Sequence, residues 1–298
     1  MHKSGHAILY TYLHRIFITT GHMSNNRITL EDIGFSKEDF IREVDGHVVC
    51  IKNHGRKLSF DTKIYRYMRM STLTDMLFYN MIHVSNRESF TDLREKKGLN
   101  EIVEEISSQP KYVPSYSDKL RIKRMEKDKQ RFLSICVSCW TCDKRSDGYT
   151  NENYLIWKAY ANNDIVCRIG TTIGQLINCI KKTSYDIAIS DVDYSGKTEM
   201  NPYEELVFRK SIFYEDEQEV RMAVLSNNKA GVDLEIDNNI LLNEVKISPF
   251  IPPVLGTFIL KELKDWCKRY PNVRIEYSKV MEYAETNKNY KRTNTSRL

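Results

Sequence analysis

Histidine is missing from most of this chain. All seven fall at or before His83, so any proton-transfer group in the C-terminal two-thirds must be a carboxylate, tyrosine, lysine or cysteine. A His-Glu-x-x-His pair, a Gly-x-Ser-x-Gly elbow, a phosphate-cradling glycine loop and a dinucleotide fingerprint are all absent. Zincin, α/β-hydrolase, P-loop and Rossmann readings therefore lose their support. No apolar run is long enough to span a bilayer. The nearest, Ala7 to Thr20, is interrupted by His14 and Arg15 and has no small-residue cleavage site after it. Seven cysteines are an odd number, which argues against a secreted disulfide framework and for a reducing cytoplasm. There is no internal repeat.

What is present is ordinary for a soluble globular chain: 298 residues, 41% hydrophobic, 29% charged, with 18 tyrosines and 11 phenylalanines to build a core. A net charge of +5 gives little long-range pull on nucleic acid or anionic lipid unless it is clustered. Residues 1–22 read as an appendage, with Met23 an alternative start. Residues 23–285 read as a single domain, and the apolar-poor stretch 286–298 as a frayed basic tail.

Along that domain, Thr29 and Ser36 stand as N-caps of two helix starts. A hairpin is expected around Asn53-His54-Gly55. "KIYRYMRM" is a strand, "TLTDMLFYN" a helix and "MIHVS" a strand, giving β–helix–β over residues 63–85. Residues 88–131 form a charged helical insertion. "RFLSICVSCW" is a strand and "NENYLIWKAYA" a helix. "DIVCRIG", "YDIAISDVDY", "QEVRMAVL", "GVDLEI" and "NVRIEYS" are strands, with the third and fourth of these as neighbours. "TTIGQLINCIKK", "NPYEELVFRKSIFY" and the Pro-initiated "PPVLGTFILKELKDWCKRY" are helices. Without strict βαβ alternation, this predicts an α+β fold with a central mixed or split sheet and peripheral helices.

Three features suit binding or chemistry. Cys136, Cys139 and Cys142 have cluster-like spacing, but strand alternation turns Cys136 and Cys139 to opposite faces, so buried thiols are expected and no metal. The run Lys119 to Arg131 carries seven cations and two anions, a solvated helix face or a weak nucleic-acid contact. Trp157 and Tyr160 sit three apart on a helix, suited to core packing or to stacking on a ring.

The sharpest feature is "FYEDEQEVRMAVL", residues 213–225. If its strand begins early, Glu217 and Glu219 share a face about 6.5–7 Å apart, and Arg221 continues that face and holds Glu219 ionised. The alternative is a solvent-facing charged surface backed by buried Val220, Met222 and Val224.

In order and spacing, "IYRYMR", "HVSNRESFTDLRE", "LSICVS", "LIWKAYANN", Val192-Asp193-Tyr194, Lys210 before "EQEVR", and "ISPF" resemble a bacterial family catalogued as domain of unknown function number 2971. The resemblance covers roughly residues 63–280. The chain departs from it at Thr91-Asp92-Leu93 and at Asn163-Asp164. The motif order is in turn similar to that of ADP-ribosyltransferases. There, a first strand carries Arg or His, a second Ser or Tyr, and a late strand a catalytic Glu. That likeness implies Glu219 and Glu217 as catalytic residues. It implies Arg66, Tyr65, Ser85, Trp157, Tyr160 and Arg221 around NAD as co-substrate. It further implies a macromolecular acceptor, protein or nucleic acid, and a toxin or defence role. Two other functions fit the residues: a non-enzymatic adaptor using residues 88–131, or a metal-dependent nuclease or hydrolase using Asp92, Glu217 and Glu219.

Overall fold

A computed structural model describes residues 28–86, 135–142, 152–161, 164–226 and 230–281. The appendage 1–22, Asp92, the stretch 88–131 with its basic run, and the tail 286–298 lie outside the described residues.

Twelve strands form one branched sheet. They are β1 (Phe40–Val44), β2 (His47–Lys52), β3 (Lys63–Arg69), β4 (Met81–Asn86), β5 (Cys136–Cys142), β6 (Val166–Thr172), β7 (Ile180–Lys182), β8 (Ile187–Asp191), β9 (Glu219–Val224), β10 (Val232–Ile236), β11 (Glu244–Ile247) and β12 (Arg274–Tyr277). The main path runs β1-β2-β8-β9-β5-β3-β6-β11-β12, with β4, β10 and β7 branching from β5. The β2–β8 and β11–β12 pairs are parallel and the remaining pairs antiparallel. The helices are α1 (Met70–Tyr79), α2 (Tyr154–Tyr160), α3 (Ile173–Cys179), α4 (Pro202–Phe208), α5 (Asn238–Leu241) and α6 (Pro253–Trp266). This is an α+β fold with a central mixed sheet and peripheral helices.

The branch arises at β5. One edge pairs with β9 along its whole length, from Cys136↔Val224 to Thr141↔Glu219. The other edge is divided: β3 takes one end through Ile64↔Cys142 and Tyr65↔Thr141, and β4 takes the other through Ser85↔Val137 and Asn86↔Cys136. The sheet is therefore split opposite Cys139.

Both faces are covered. On one, Ile64, Met68, Trp140, Val220 and Met222 pack with Leu73 of α1, Leu176 of α3 and Leu263 of α6. On the other, Val137, Ala188 and Ala223 pack against Leu206, Val207 and Phe208 of α4. Tyr67 packs with Trp157 of α2. Every residue of β9 is consequently buried, which overturns the reading of Glu219 and Arg221 as a solvent-facing surface.

Several local expectations are corrected. Thr29 and Ser36 do cap, but over 3-10 turns at Glu31–Ile33 and Lys37–Asp39, after which the chain extends as β1. The hairpin turns at Asp45 and Gly46, whose φ values of 51° and 78° are those of a mirror-image turn that suits strand twist. The segment from Asn53 to Gly55 is instead a loop held by one carboxylate. Asp191 accepts from the backbone N–H of His54 at 2.7 Å, Gly55 at 2.9 Å and Arg56 at 2.7 Å. Strands β9 and β10 are not neighbours, since β10 pairs with β4 and β7. The "EVKI" segment forms β11, which the sequence reading omitted. A helix forms in "NPYEELVFRKSIFY" as expected, but it runs only from Pro202 to Phe208, and the chain resumes as a 3-10 turn, Ile212–Glu217.

Asp191 is fully buried, so removing it strands three backbone donors. Asp191→Ala should cost on the order of 3 kcal/mol in urea unfolding, while exposed Asp233→Ala should cost under about 0.5 kcal/mol. Equal midpoints for the two variants would refute this account of the loop.

Candidate active site

The acidic run is cut in two by its backbone. Residues through Glu217 form the 3-10 turn, Gln218 takes a left-handed conformation with φ 49°, and β9 starts at Glu219. Glu217 and Glu219 therefore do not share a strand face by i, i+2 alternation, as expected from sequence. They meet because the turn folds Glu217 back and a lysine joins them. Lys210 Nζ lies 2.7 Å from Glu217 Oε2 and 3.1 Å from Glu219 Oε1. The lysine also stands 4.4 Å from the centre of the Tyr214 ring.

Glu219 is pinned on every side. Its N–H donates to the Tyr194 hydroxyl at 2.9 Å and its carbonyl accepts from Val192 N at 3.0 Å. Arg221 Nε donates to its Oε2 at 2.7 Å, and the same guanidinium donates to Val207 O at 2.9 Å. The arrangement makes the two carboxyls unequal. Burial alone would raise both. At Glu219, Arg221 and Lys210 override it and hold the group at about 2. At Glu217, burial dominates and a hydrogen bond shared with ionised Glu219 adds to it, raising the group to about 7 in spite of Lys210. Between about 2 and about 7 the pair is one carboxylate and one acid, the separation of roles that acid–base chemistry requires.

The register assigns the neighbours. Glu219 on β9, Thr141 on β5 and Tyr65 on β3 form one rung and so point to one face, with Cys139 and Arg221 on the same face two residues along. Tyr160 of α2 overlies this region. The residue is 49% exposed, and its proton is held by burial and by Cys139, Glu219 and Glu217, with Arg66 acting in the opposite sense. Tyr65 itself is buried, stacked 4.1 Å from the guanidinium of Arg168, which pairs with Glu244 at 2.5 Å.

The other expected site residues are placed differently. Trp157 is fully buried, meets Tyr67 edge-on with centroids 4.9 Å apart, and donates its indole N–H to Glu152 at 3.1 Å. It is a packing residue that seats α2, not a stacking surface. Ser85 pairs with Val137, on the same face as Glu219 but about 13 Å along the strand direction and two strands across from it. Arg66, next to Tyr65, has the opposite strand parity, although its charge still acts on Tyr160 and Cys139. Its guanidinium sits in the split, donating to His83 O at 3.0 Å and lying 6.0 Å from the Trp140 ring. Arg66, Ser85 and Glu219 thus do not meet; Glu217, Glu219, Arg221, Thr141 and Tyr65 do. Sequence reasoning left Lys210, Tyr194, Thr141 and Cys139 out of the site. Lys210 and Tyr194 belonged to motifs already noted, and alternation along "CVSCWTC" puts Cys139 and Thr141 on one face. For the divalent-cation reading, Asp92 lies outside the described residues, and both oxygens of Glu219 and the Oε2 of Glu217 face Lys210 or Arg221.

No family model matches the chain, and no curated protein matches it. Among solved structures it is similar to Thermus sp. 2.9 DarT in complex with ADP-ribosylated ssDNA, at 10% identity and a TM-score of 0.33, covering 75% of this chain and 97% of that one. It is likewise similar to Thermus sp. 2.9 DarT in complex with NAD+, at 10% identity and a TM-score of 0.34, covering 75% and 98%. These values describe a likeness in broad outline only.

The unequal pair has opposite linkages to folding. Glu219, depressed to about 2, contributes stability above the ordinary glutamate range that is lost as pH falls toward 2. Glu217, raised to about 7, contributes stability at acid pH that is lost as pH rises through 7. Glu217→Gln stays neutral throughout, so its stability relative to the parent should climb as pH rises from about 5 to 8. Parallel urea titrations that show a constant difference over that range would rule out the raised carboxyl.

Proposed function

We propose that this chain transfers ADP-ribose from NAD to a macromolecular acceptor. The observation that carries the reading is the carboxylate of Glu219, held ionised by Arg221 and Lys210 beside Glu217, whose carboxyl is raised to about 7. Cleaving the bond between ribose C1′ and the nicotinamide nitrogen leaves the electron pair on neutral nicotinamide and positive charge on the ribose. A fixed carboxylate stabilises that charge, as in glycoside chemistry. The acceptor's nucleophile then bonds to C1′, and its proton passes to Glu217 in the ionised form. Thr141 and Tyr65 line the same face, and Tyr160 overlies it with a half-exposed ring suited to a flat substrate group. The motif resemblance noted in the sequence agrees with these roles, and with a toxin or defence effector as the setting.

Glu217 accepts a proton only when ionised, so transfer should rise with pH through about 7. Glu219→Gln should lower the rate roughly 10²–10³-fold and relieve any growth arrest on expression. Glu217→Gln should slow transfer to the acceptor and flatten the pH rise. The measurement is label transfer from adenine-labelled NAD to protein and to nucleic acid in a cell lysate, with released nicotinamide counted in parallel. Wild-type protein that neither releases nicotinamide nor labels any macromolecule would end this reading.

A further inference from the structure

A serine, a histidine and an acid stand in line under α4, and the chemistry above does not use them. His54 Nδ1 lies 2.7 Å from Ser190 Oγ on β8, and its Nε2 lies 2.7 Å from Glu204 Oε1 on α4. The order is that of a hydrolytic triad, but Ser190 is fully buried, so no substrate carbonyl can reach it. The set therefore acts inside the fold. Lys52 Nζ reaches the same Oε1 of Glu204 at 2.5 Å and donates to Gly34 O at 2.7 Å. Burial would raise the Glu204 carboxyl; His54 and Lys52 override it and hold the group below the ordinary range. The carboxyl lies so close to Gly34 that a β-carbon there would collide with it. Glu204 thus ties α4 to β2 and to the two loops that follow the 3-10 turn at Glu31–Ile33 and β2.

What this anchor holds is the end of α4, where both cations of the site are placed. Glu204 lies three residues before Val207, about one helical turn. Val207 O accepts from Arg221 Nη1 at 2.9 Å. The Phe208 ring packs on His54 with centroids 5.2 Å apart, and Phe208 O accepts from Asp193 N at 2.8 Å. Lys210 follows two residues later, its N–H donating to Asp193 O at 3.1 Å. Ser190 itself stands directly across from Arg221 in the β8–β9 pairing. The seat of α4 on the sheet therefore decides where Arg221 and Lys210 meet the two glutamates.

We propose that His54 and Glu204 are positioning residues, which seat α4 so that Arg221 and Lys210 stay within hydrogen-bond reach of Glu219 and Glu217. Their effect on rate rests on the transfer reading above; their effect on the glutamates does not.

Asparagine and glutamine separate the two ring nitrogens, because an Asn amide reaches only as far as Nδ1 and a Gln amide as far as Nε2. His54→Asn should cut the contact with Glu204, and His54→Gln should keep it. Leu263→Ala, in the core on the other face under α6, controls for lost stability. The first readout needs no NAD. Each variant is compared with the same variant carrying Glu217→Gln, by urea titration from about pH 5 to about pH 9. In the parent the stability difference climbs through about 7. With Lys210 drawn away, the ionised form of Glu217 loses support, so in His54→Asn the climb should move up by about half a pH unit or more. His54→Gln and Leu263→Ala should keep the parental midpoint. Should His54→Asn fail to fold, Lys52→Met, which removes the other arm of the anchor, must show the same upward shift. The second readout is nicotinamide release from NAD. There His54→Asn should lower kcat about tenfold or more with KM within about twofold, and His54→Gln should recover most of the rate. An unchanged or lowered midpoint in His54→Asn, an equal shift in Leu263→Ala, or no recovery in His54→Gln would overturn the proposal. A parent that releases no nicotinamide would end the transfer reading, while the urea titrations would still decide the role of His54 and Glu204.

Discussion

A carboxylate at the start of a strand buried on both faces must be neutralised, and the surroundings of Glu219 answer that requirement. An isolated ionised carboxyl in such a place would take up a proton instead. Here Arg221 reaches it from two residues further along the same strand, Lys210 reaches it from the segment after α4, and Tyr194 accepts its backbone N–H. Each partner draws its own element in. Arg221 donates onward to the end of α4 through Val207, and Lys210 N donates to the Asp193 carbonyl beside Tyr194. The neutralising set is also the set that fixes the chain around β8, α4 and β9. The site and the local fold are therefore one structure, and a change at Lys210 is expected to be felt in both.

The elements were legible where the pattern is local. Period-two alternation gave β3, β5, β6 and β9, and the Pro-initiated helix α6 stood out by its start. Pairings were less legible, because they depend on contacts distant in sequence. Nothing in "GVDLEI" says that it joins β4 across about 150 residues rather than β9 beside it. The hairpin error has a clear cause. Asn53-His54-Gly55 and Asp45-Gly46 are both turn-like. Only the second lies between strands that pair, while the first is pulled away by Asp191.

Legibility of the site divides along the same line. Glu219 and Arg221 were readable because two residues on one strand share a face, and Tyr65 with Thr141 follows once the strand order is known. Arg66 was misplaced by its neighbour: "IYRYMR" alternates aromatic and basic residues, and only the register with β5 decides which of the two faces Glu219. Trp157 and Tyr160 illustrate how two residues three apart on a helix can differ, one fully buried against Tyr67 and one half-exposed over the site. Lys210 escaped because its partners are seven and nine residues away across a 3-10 turn, a spacing that no helix or strand periodicity marks.

The pairing also sets the charge of the site. Two cations, Lys210 and Arg221, face two glutamates, and the glutamates interact closely enough that their titrations separate. While Glu217 keeps its proton, the cations outnumber the carboxylates by one, and the site attracts anionic groups such as a pyrophosphate. Once Glu217 ionises, at about 7, the site is neutral and holds a second base. Anion capture and base catalysis thus draw on the same proton in opposite directions. Lys210 is the residue that balances them. It stabilises the ionised form of Glu217 against burial, and without it the base would form only at a higher pH.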